Sequence, residues 1–321
     1  MEGENNYSGV QQPDGGYGDA KDASGGYSDL QNPPSAYASN PAQNVTPKLE
    51  NGVNLQPSYY NGGNVDLGWK FMDRSKIKTV RIEIEPGREA NAKRWLTEAI
   101  NDNGFQVIAT YHKFLAPLGT DNVSELMAAA DWWVNNYPAL QQAGSFTINL
   151  MNEWGSHAIS ADAFAAAYNQ AIAKVRTVYG GSIVIDLPGF GQEAHTAAQA
   201  VRGQANTTIS DSAIILSTHI YGDAATDQGS REMRTSDIDE LRATGLPCIV
   251  GEFGDNGQSG KTKWLDLVLH AKSKGLPVLG WAWNGDGGHL NMMTPQFQPF
   301  VSGQTQQYTK SPYFSSIDNA L

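Results

Sequence analysis

Eight short apolar runs, separated by longer amphipathic segments, constrain the fold of this chain more than any other feature of its sequence. Runs of this kind are typical of strands buried on both faces of a parallel sheet. Their mean spacing of roughly 32 residues accommodates a strand, a loop, a helix and a return loop, and their total span matches the roughly 250 residues usual for an eightfold barrel. The sequence therefore predicts an α/β fold, a (β/α)8 TIM barrel, which fits better than a doubly wound open sheet. The runs are Gly52–Leu55, Thr79–Ile84, Gln106–Tyr111, Phe146–Met151, Ser182–Leu187, Ile214–His219, Pro247–Glu252 and Pro277–Ala282.

Two of the intervening segments carry clear helix signals. One begins at Asn122, a residue suited to an N-cap, and continues through strong helix formers. We expect this helix to end before Pro138, because proline lacks the N–H that an inner helical turn requires. The other begins at Ser160 and is rich in alanine to about Val178. Its larger apolar residues recur at helical spacing, so one face should cover the barrel.

Residues 1–45 differ sharply from the rest of the 321-residue chain. They are rich in Gly, Ser, Asn and Tyr and contain almost no aliphatic residues, so they cannot build a hydrophobic core of their own. A faint repeat places a tyrosine every ten residues, at Tyr7, Tyr17, Tyr27 and Tyr37. We interpret the segment as a low-complexity N-terminal tail or flexible linker. The predicted organisation is a tail at 1–45 and a single barrel domain at 46–321.

Charge and composition exclude several kinds of partner. The formal net charge is −11 at pH 7, whereas nucleic acids and anionic membranes are bound through basic patches. No apolar run approaches the roughly 20 residues that span a bilayer, so we expect a soluble protein. We also expect it to be a monomer. The first residues lack the basic start and apolar stretch of a secretion signal. The single cysteine, Cys248, allows neither an intrachain disulfide nor a thiolate metal cluster.

Two glutamates stand at the ends of apolar runs that lie about a hundred positions apart. Glu153 follows Asn152 directly after the fourth run, and Glu252 ends the seventh run. In a TIM barrel the carboxyl ends of the strands meet at one face, where active sites are built. Two carboxylates facing one cleft favour acid/base chemistry on a glycosidic bond.

Polar residues also follow or interrupt most of the other runs. A lone arginine or histidine near a strand end is more often a structural hydrogen-bond partner than a catalyst. Polar residues stand at six of the eight predicted strand ends. Packing alone hardly explains this number, because burying unpaired polar groups is costly. Besides the two glutamates, the set contains Arg81, Tyr111-His112, His219-Ile220-Tyr221 and the segment from Trp281 to Trp283.

In order and approximate spacing, this set resembles glycoside hydrolase family five, the cellulase and mannanase family of retaining (β/α)8 enzymes. The resemblance spans roughly residues 50–295. Its carriers are Arg81, His112, the Asn152-Glu153 pair, His219-x-Tyr221, Glu252 and Trp283. The phrases around Asn152, Gly189-Phe190-Gly191-Gln192 and Val250-Gly251-Glu252-Phe253-Gly254 look most like the bacterial mannanase branch. One departure is Trp154, which stands where proline commonly follows the acid glutamate.

The resemblance implies a role for each of these residues. Glu153 would be the general acid and then base, and Glu252 the nucleophile, with carboxyl groups about 5–5.5 Å apart. Arg81 and Tyr221 would hold Glu252 by an ion pair and a hydrogen bond. Asn152 would bond the sugar 2-hydroxyl. The two histidines, His112 and His219, would contact sugar hydroxyls or the surroundings of the acid.

Aromatic residues are expected to provide stacking faces for sugars. The resemblance implies that Trp283 forms the floor beneath the sugar at the cleavage point, with Trp281 buried below it. Trp154, Tyr59, Tyr60 and Phe190 fall in loops at the predicted mouth of the barrel, where sugar platforms and ordinary loop packing are equally plausible.

The sequence analysis therefore predicts a retaining endo-β-1,4-glycan hydrolase. Cellulose or mixed β-glucan is the first choice of substrate, and β-mannan is the alternative. A β-1,3-specific hydrolase and a non-catalytic carbohydrate-binding barrel remain as further alternatives. No cofactor is expected. No metal is expected either, because the remaining histidines lack metal-ligand spacing. A polysaccharide substrate implies an extracellular site of action.

Overall fold

The computed structural model describes residues 48–113, 118–257 and 262–321. The predicted tail at 1–45, with its tyrosine repeat, lies outside these residues. Within them, eight parallel strands pair in sequence order and close into a barrel, which confirms the predicted TIM-barrel class. The last strand pairs with the first, with Gly52 opposite Leu279, so the sheet has no free edge. No helix of the described segments is long and apolar enough to cross a membrane.

The barrel strands, numbered here in chain order, agree closely with the predicted runs. They are β1 Gly52–Leu55, β2 Thr79–Ile84, β3 Gln106–Tyr111, β4 Thr147–Asn149, β5 Ile183–Asp186, β6 Ile214–Ile220, β7 Cys248–Phe253 and β8 Val278–Asn284. Strand β4 is shorter than the predicted run, because Leu150 still bonds to β5 but Asn152 turns to bond the carbonyl of Tyr111. Two short antiparallel strand pairs lie in the loops, one between 225–226 and 231–232 and the other between 293–294 and 309–310.

Helices surround the barrel. They are α1 Glu89–Thr97, α2 Val123–Leu140, α3 Ala161–Val175, α4 Ala194–Arg202, α5 Thr235–Arg242, α6 Trp264–Ser273 and α7 Phe314–Asp318. A π-turn extends α1 over Glu98–Asp102. Single 3-10 turns lie at Pro57–Tyr59, Asn61–Gly63, Trp69–Phe71 and Gln141–Ala143, and a four-residue turn follows β5 at Pro188–Gly191.

The two predicted N-caps are present, but one predicted helix end is wrong. The side chain of Asn122 accepts a bond from the N–H of Ser124, and that of Ser160 accepts from Ala163. Helix α2 continues through Pro138 to Leu140. Because this proline lies in the last turn, it removes only one hydrogen bond near an end that is already poorly bonded, so the helix tolerates it.

Apolar residues fill both sides of the sheet. On β3, Val107 and Ala109 belong to the large cluster between sheet and helices, whereas Ile108 belongs to a smaller, separate cluster. Strand alternation places that smaller cluster inside the barrel. Leu49, just before β1, packs against it and so covers the amino-terminal end of the barrel. Polar chemistry is therefore restricted to the opposite end, where the strands finish.

Candidate active site

Arg81 is the centre of the polar cluster at the carboxyl ends of the strands. Its side chain is fully buried on β2 and donates to Glu252 Oε1 at 2.8 Å and to Asn152 Oδ1 at 2.7 Å. Burial opposes the charged form, but the nearby carboxylates outweigh it and raise the pKa of Arg81 above its ordinary value. The guanidinium is thus a permanent cation that fixes the surrounding side chains. Its other partners are Glu83, Asn54, Asn149 and Asp186.

Glu252, on β7, is held at both carboxylate oxygens. Oε1 accepts from Arg81, and Oε2 accepts from the hydroxyl of Tyr221 at 2.7 Å. Burial, together with the neighbouring Glu252 carboxylate, raises the pKa of Tyr221 well above its ordinary value, so this hydroxyl remains a donor. Two directional bonds leave the carboxylate little rotational freedom. Only 4% of the Glu252 surface is exposed.

Glu153 lies just beyond β4 in a left-handed backbone conformation, with φ of 48°. Its N–H donates to Asp186 Oδ2 at 3.1 Å, and its Oε1 forms a hydrogen bond of 2.7 Å with Nδ1 of His219. Burial, and then the charge of Glu252, raise the pKa of Glu153, while His219 acts in the opposite direction. The net effect favours a protonated carboxyl group, which is the state that a general acid requires.

The two glutamates converge on one small volume. A carboxylate oxygen of Glu153, a carboxylate oxygen of Glu252 and a ring nitrogen of His219 all lie within 4.8 Å of one another. Retaining glycosidases place their two carboxyl groups about 5–5.5 Å apart, whereas inverting enzymes need about 6.5–9.5 Å for an intervening water. The spacing is therefore suited to a double displacement. The same three atoms are close enough to bind a metal ion, so the absence of a metal stays a prediction.

Asp186 is a member of the site that the sequence analysis missed. It ends β5, is fully buried, and lies 3.3 Å from Arg81 Nη2 and 3.5 Å from His219 Nε2. Burial would raise its pKa, but His219 and Arg81 outweigh burial and lower it to about 2. Asp186 therefore carries a negative charge behind the histidine that bonds Glu153. An aspartate inside an otherwise apolar run was the available signal.

A second missed residue, Glu83 on β2, lies beside the predicted site residue His112. Glu83 is 1% exposed and accepts from Gln56 Nε2 at 2.8 Å and from Arg81 at 3.1 Å. His112 lies 3.7 Å from this carboxylate and hydrogen-bonds the hydroxyl of Tyr59. Burial lowers the pKa of His112, but Glu83 and Glu85 reverse the effect and raise it. His112 therefore contacts the Glu83 carboxylate, whereas His219 contacts the Glu153 carboxyl group.

Asn152 is oriented by Arg81. Because its Oδ1 accepts from the guanidinium, its Nδ2 points away from Arg81 and is the end of the amide that can donate to a ligand. This orientation agrees with the predicted bond to a sugar hydroxyl. The role itself stays a prediction.

The expectation that Trp283 forms a sugar floor is not met in the structure. Trp283 is 1% exposed, and its Nε1 donates to the carbonyl of Leu67 at 3.1 Å. Trp281, expected below it, keeps 8% of its surface exposed, and its Nε1 donates to Asp286 Oδ1 at 3.1 Å. Between its pairings with Val53 and Leu55, β8 has three residues opposite the single residue Asn54 of β1, so the register of the strand shifts at these tryptophans.

Trp154 is likewise not a sugar platform. Its ring is completely buried, stacks on Phe164 at 6.1 Å, and donates from Nε1 to the carbonyl of Asn122. Phe164 and Tyr168 of α3 pack against Trp154, so ordinary packing is observed, which is one of the two interpretations that the sequence left open. Of the other loop aromatics, Tyr60 bonds the carbonyl of Asp286, whereas Phe190 keeps 37% of its surface exposed.

Comparisons with known proteins agree with this fold. A mannan endo-1,4-beta-mannosidase from Streptomyces lividans is 30% identical over 178 residues, which cover 54% of this chain and 45% of that enzyme. The chain thus spans less than half the length of this curated relative.

Two solved structures share the fold. The catalytic domain of a mannanase from Streptomyces sp. SirexAA-E superposes with a TM-score of 0.60 at 21% identity, over 76% of this chain and 78% of that chain. A GH5 cellulase from an Icelandic hot spring isolate gives a TM-score of 0.61 at 14% identity, over 80% and 82%. The model of the family described as cellulase (glycosyl hydrolase family 5) matches residues 50–287, a range that contains all eight barrel strands and both glutamates. The chain belongs to glycosyl hydrolase family 5.

Proposed function

We propose that this protein is a retaining endo-β-1,4-glycan hydrolase in which Glu153 and Glu252 perform a double displacement. The observation that carries the proposal is the convergence of their carboxylates within 4.8 Å in two different environments. Glu252 meets a cation and a hydroxyl donor, whereas burial raises the pKa of Glu153. One group is thus arranged as a nucleophile and the other as a proton donor.

In the first step, Glu252 attacks the anomeric carbon while Glu153 transfers its proton to the glycosidic oxygen. The bond between the anomeric carbon and that oxygen breaks, the shortened chain leaves as an alcohol, and the sugar remains as an ester of Glu252. In the second step, the Glu153 carboxylate accepts a proton from water. The water oxygen attacks the anomeric carbon, the ester bond breaks, and both carboxyl groups return to their starting states.

The surrounding residues support these steps by orientation. Arg81 and Tyr221 fix the nucleophile, and Arg81 also turns the amide of Asn152 toward the substrate. His219 holds the carboxyl group of Glu153. Positioned groups of this kind lower the barrier because the reacting atoms need little further ordering.

For the sugar, we propose β-mannan as the first substrate and β-glucan as the second. The sequence analysis gave the opposite order. The change rests on the names of the relatives, because the Streptomyces lividans protein and the SirexAA-E domain are both called mannanases. The glucan alternative keeps support from the structural likeness to a GH5 cellulase.

The test is hydrolysis of galactomannan and of carboxymethylcellulose by the wild-type protein and by Glu252→Ala, in buffer containing EDTA. We expect the wild-type protein to release reducing sugar from at least one polymer without added metal, and faster from mannan. Glu252→Ala should lose nearly all turnover yet still bind the sugar. The control Glu232→Gln changes an exposed glutamate of the 231–232 strand and should leave activity unchanged. A folded wild-type protein that binds these polymers without cleaving them would support the carbohydrate-binding alternative.

A further inference from the structure

The turn after β5, Pro188–Gly191, holds an aromatic ring in an unusual position. Phe190 has a φ of 59°, in the left-handed region that bulky residues rarely adopt, and 37% of its surface is exposed. Backbone strain of this kind persists only where the surrounding structure imposes it. Core packing does not account for it, because the strained residue leaves much of its ring outside the core.

The turn is fastened directly against the acid side of the cleft. The N–H of Gly189 donates to the carbonyl of Gly155 at 2.8 Å. A Cβ at Gly191 would lie 2.5 Å from Cγ of His219, the residue that bonds Glu153. No side chain fits between the turn and this imidazole. The position of Phe190 is therefore coupled to the group that donates the proton.

Two further residues hold the ring itself. A Cβ at Gly119 would lie 2.9 Å from Cζ of Phe190, and Gly119 donates its N–H to the carbonyl of Glu153 at 2.9 Å. The imidazole of His157 lies 5.6 Å from the phenyl ring at 53°. His157 is anchored in turn by the buried carboxylate of Glu193 at 2.6 Å. Phe190 and His157 thus form an aromatic corner against Gly119, which bonds the backbone of Glu153.

We propose that this corner is the binding subsite for the leaving part of the substrate, a β-linked hexose unit whose apolar C–H face stacks on Phe190 while its hydroxyls meet His157. This inference rests on the proposed function. The acid must reach the oxygen of the leaving group, so the departing sugar lies on the Glu153 side of the cleaved bond.

The subsite predicts how the glycosyl-enzyme reacts with a second sugar. An oligosaccharide bound on Phe190 would present a hydroxyl in place of water. Its oxygen attacks the anomeric carbon, Glu153 accepts its proton, and the ester bond to Glu252 breaks as a new glycosidic bond forms. Hydrolysis of the same intermediate needs only water. The ratio of transfer to hydrolysis therefore reports on this subsite and is independent of the fraction of folded protein.

The test uses a 2,4-dinitrophenyl β-disaccharide donor and a trisaccharide acceptor of the polymer that the wild-type protein cleaves. Phe190→Gly removes the ring while glycine retains the backbone conformation. We expect it to lower the transfer-to-hydrolysis ratio about tenfold, equivalent to about 1.4 kcal/mol. Phe190→Tyr should restore the ratio. The control Asn61→Gly makes the same backbone exchange at another exposed residue of positive φ and should not change it.

Two results would overturn the subsite alone. One is a Phe190→Gly protein that transfers to the acceptor in the same ratio as wild type, and the other is a wild-type protein that hydrolyses the donor but yields no transfer product. A wild-type protein that does not consume the donor or cleave either polymer would instead overturn the proposed function, and the subsite with it.

Discussion

Glu153 and Glu252 carry the same carboxyl group but meet different partners. Arg81 and Tyr221 donate to Glu252, whereas Glu153 forms a hydrogen bond with His219. Burial and the charge of Glu252 raise the pKa of Glu153. A pair of identical side chains can take opposite roles only if their surroundings differ in this way. The Arg81 guanidinium, bonded to residues from several strands, is what keeps the two environments distinct.

Glu153→Gln removes the proton donor with little change in shape. We expect kcat/KM on polysaccharide to fall by about 10²–10⁴, the usual contribution of a general acid. The first step with a 2,4-dinitrophenyl glycoside, whose leaving group needs no proton, should be nearly unaffected, and added azide should speed the second step. Burst kinetics with and without azide measure both effects.

The pH dependence of the same variant gives the sign of the pKa shift. Because the pKa of Glu153 is raised, the wild-type protein should keep its acid protonated above the pH at which an ordinary glutamate ionises, and kcat/KM should fall only as pH rises through the shifted value. This alkaline limb should disappear in Glu153→Gln. An unchanged alkaline limb in the variant would assign that ionisation to another group.

Asp186→Asn tests the buried charge behind His219. Removing one partner from a buried ion network costs about 3 kcal/mol, so the free energy of unfolding at pH 7 should fall by about that amount. The folded pKa of Asp186 is lowered to about 2, so its contribution is fully present above the unfolded value near 4 and is lost as pH falls toward 2. Urea unfolding of both proteins at pH 7 and pH 3 measures this convergence.

The control for this comparison is Asp102→Asn, which changes an exposed aspartate at the end of the π-turn. Exposed substitutions of this kind usually change stability by less than about 0.5 kcal/mol. A difference between wild type and Asp186→Asn that stays constant from pH 7 to pH 3 would contradict the assigned charge.

At the scale of elements, the turn after β5 shows how a short segment positions a catalytic group. Its glycines approach neighbouring atoms more closely than any side chain permits: Gly189 lies against His157, and Gly191 against His219. Both have positive φ. Each glycine of the turn is therefore needed for two reasons, its positive φ and its close contact with a histidine. The two effects can be separated experimentally.

Gly191→Ala should reduce kcat at least about tenfold by displacing His219, because the added Cβ would lie 2.5 Å from the imidazole. The matched control is Gly62→Ala, whose φ of 60° imposes a similar backbone strain of about 1–2 kcal/mol but whose Cβ would meet nothing within 4 Å. Steady-state kinetics and thermal melting of the pair separate the two effects. Equal activities in the two variants would show that the turn does not position His219.

Most elements followed from the sequence because periodicity and capping are local. The first three strands have the predicted bounds, and the caps at Asn122 and Ser160 form as expected. One error also has a local cause: Pro138 was read as a stop, although a final helical turn tolerates proline. The expectation for Trp283 came from the family resemblance, and the structure buries its ring.

Other features of the site depend on contacts that no local pattern contains. Asp186 interrupts an apolar run in the same way as a structural polar residue would, and only the closed barrel brings it to His219 and Arg81. Trp154 follows the acid in sequence as an exposed aromatic would, but α3 covers it. The positions of residues at strand ends therefore predicted which side chains lie close together. Tertiary packing determines which of these side chains remain accessible.

At the scale of the whole molecule, the barrel separates a closed end from a reactive end. Leu49 packs against the interior cluster at the amino-terminal end of the strands, and Asn51 bonds the carbonyl of Leu321, so both ends of the described chain meet there. Every group of the proposed mechanism lies at the opposite end. This arrangement lets stability and chemistry be varied independently.

A protein beginning at residue 46 should retain the melting temperature and kcat/KM of the full chain, because the barrel strands, the covering Leu49 and the site all lie within residues 48–321. Calorimetry and assays on both polymers compare the two proteins. A loss of more than about 1 kcal/mol in the free energy of unfolding, or of tenfold in kcat/KM, would show that residues 1–45 belong to the catalytic domain.

One measurement, the trapping of a glycosyl ester, can identify the nucleophile directly. A 2-deoxy-2-fluoro β-glycosyl fluoride of the preferred sugar should inactivate the wild-type protein by forming a stable ester, and mass spectrometry of the digested protein should find one added sugar on the peptide that contains Glu252. A label on any other carboxylate, or turnover of natural substrate with inversion and without a trapped ester, would contradict the assignment of Glu252 and Glu153.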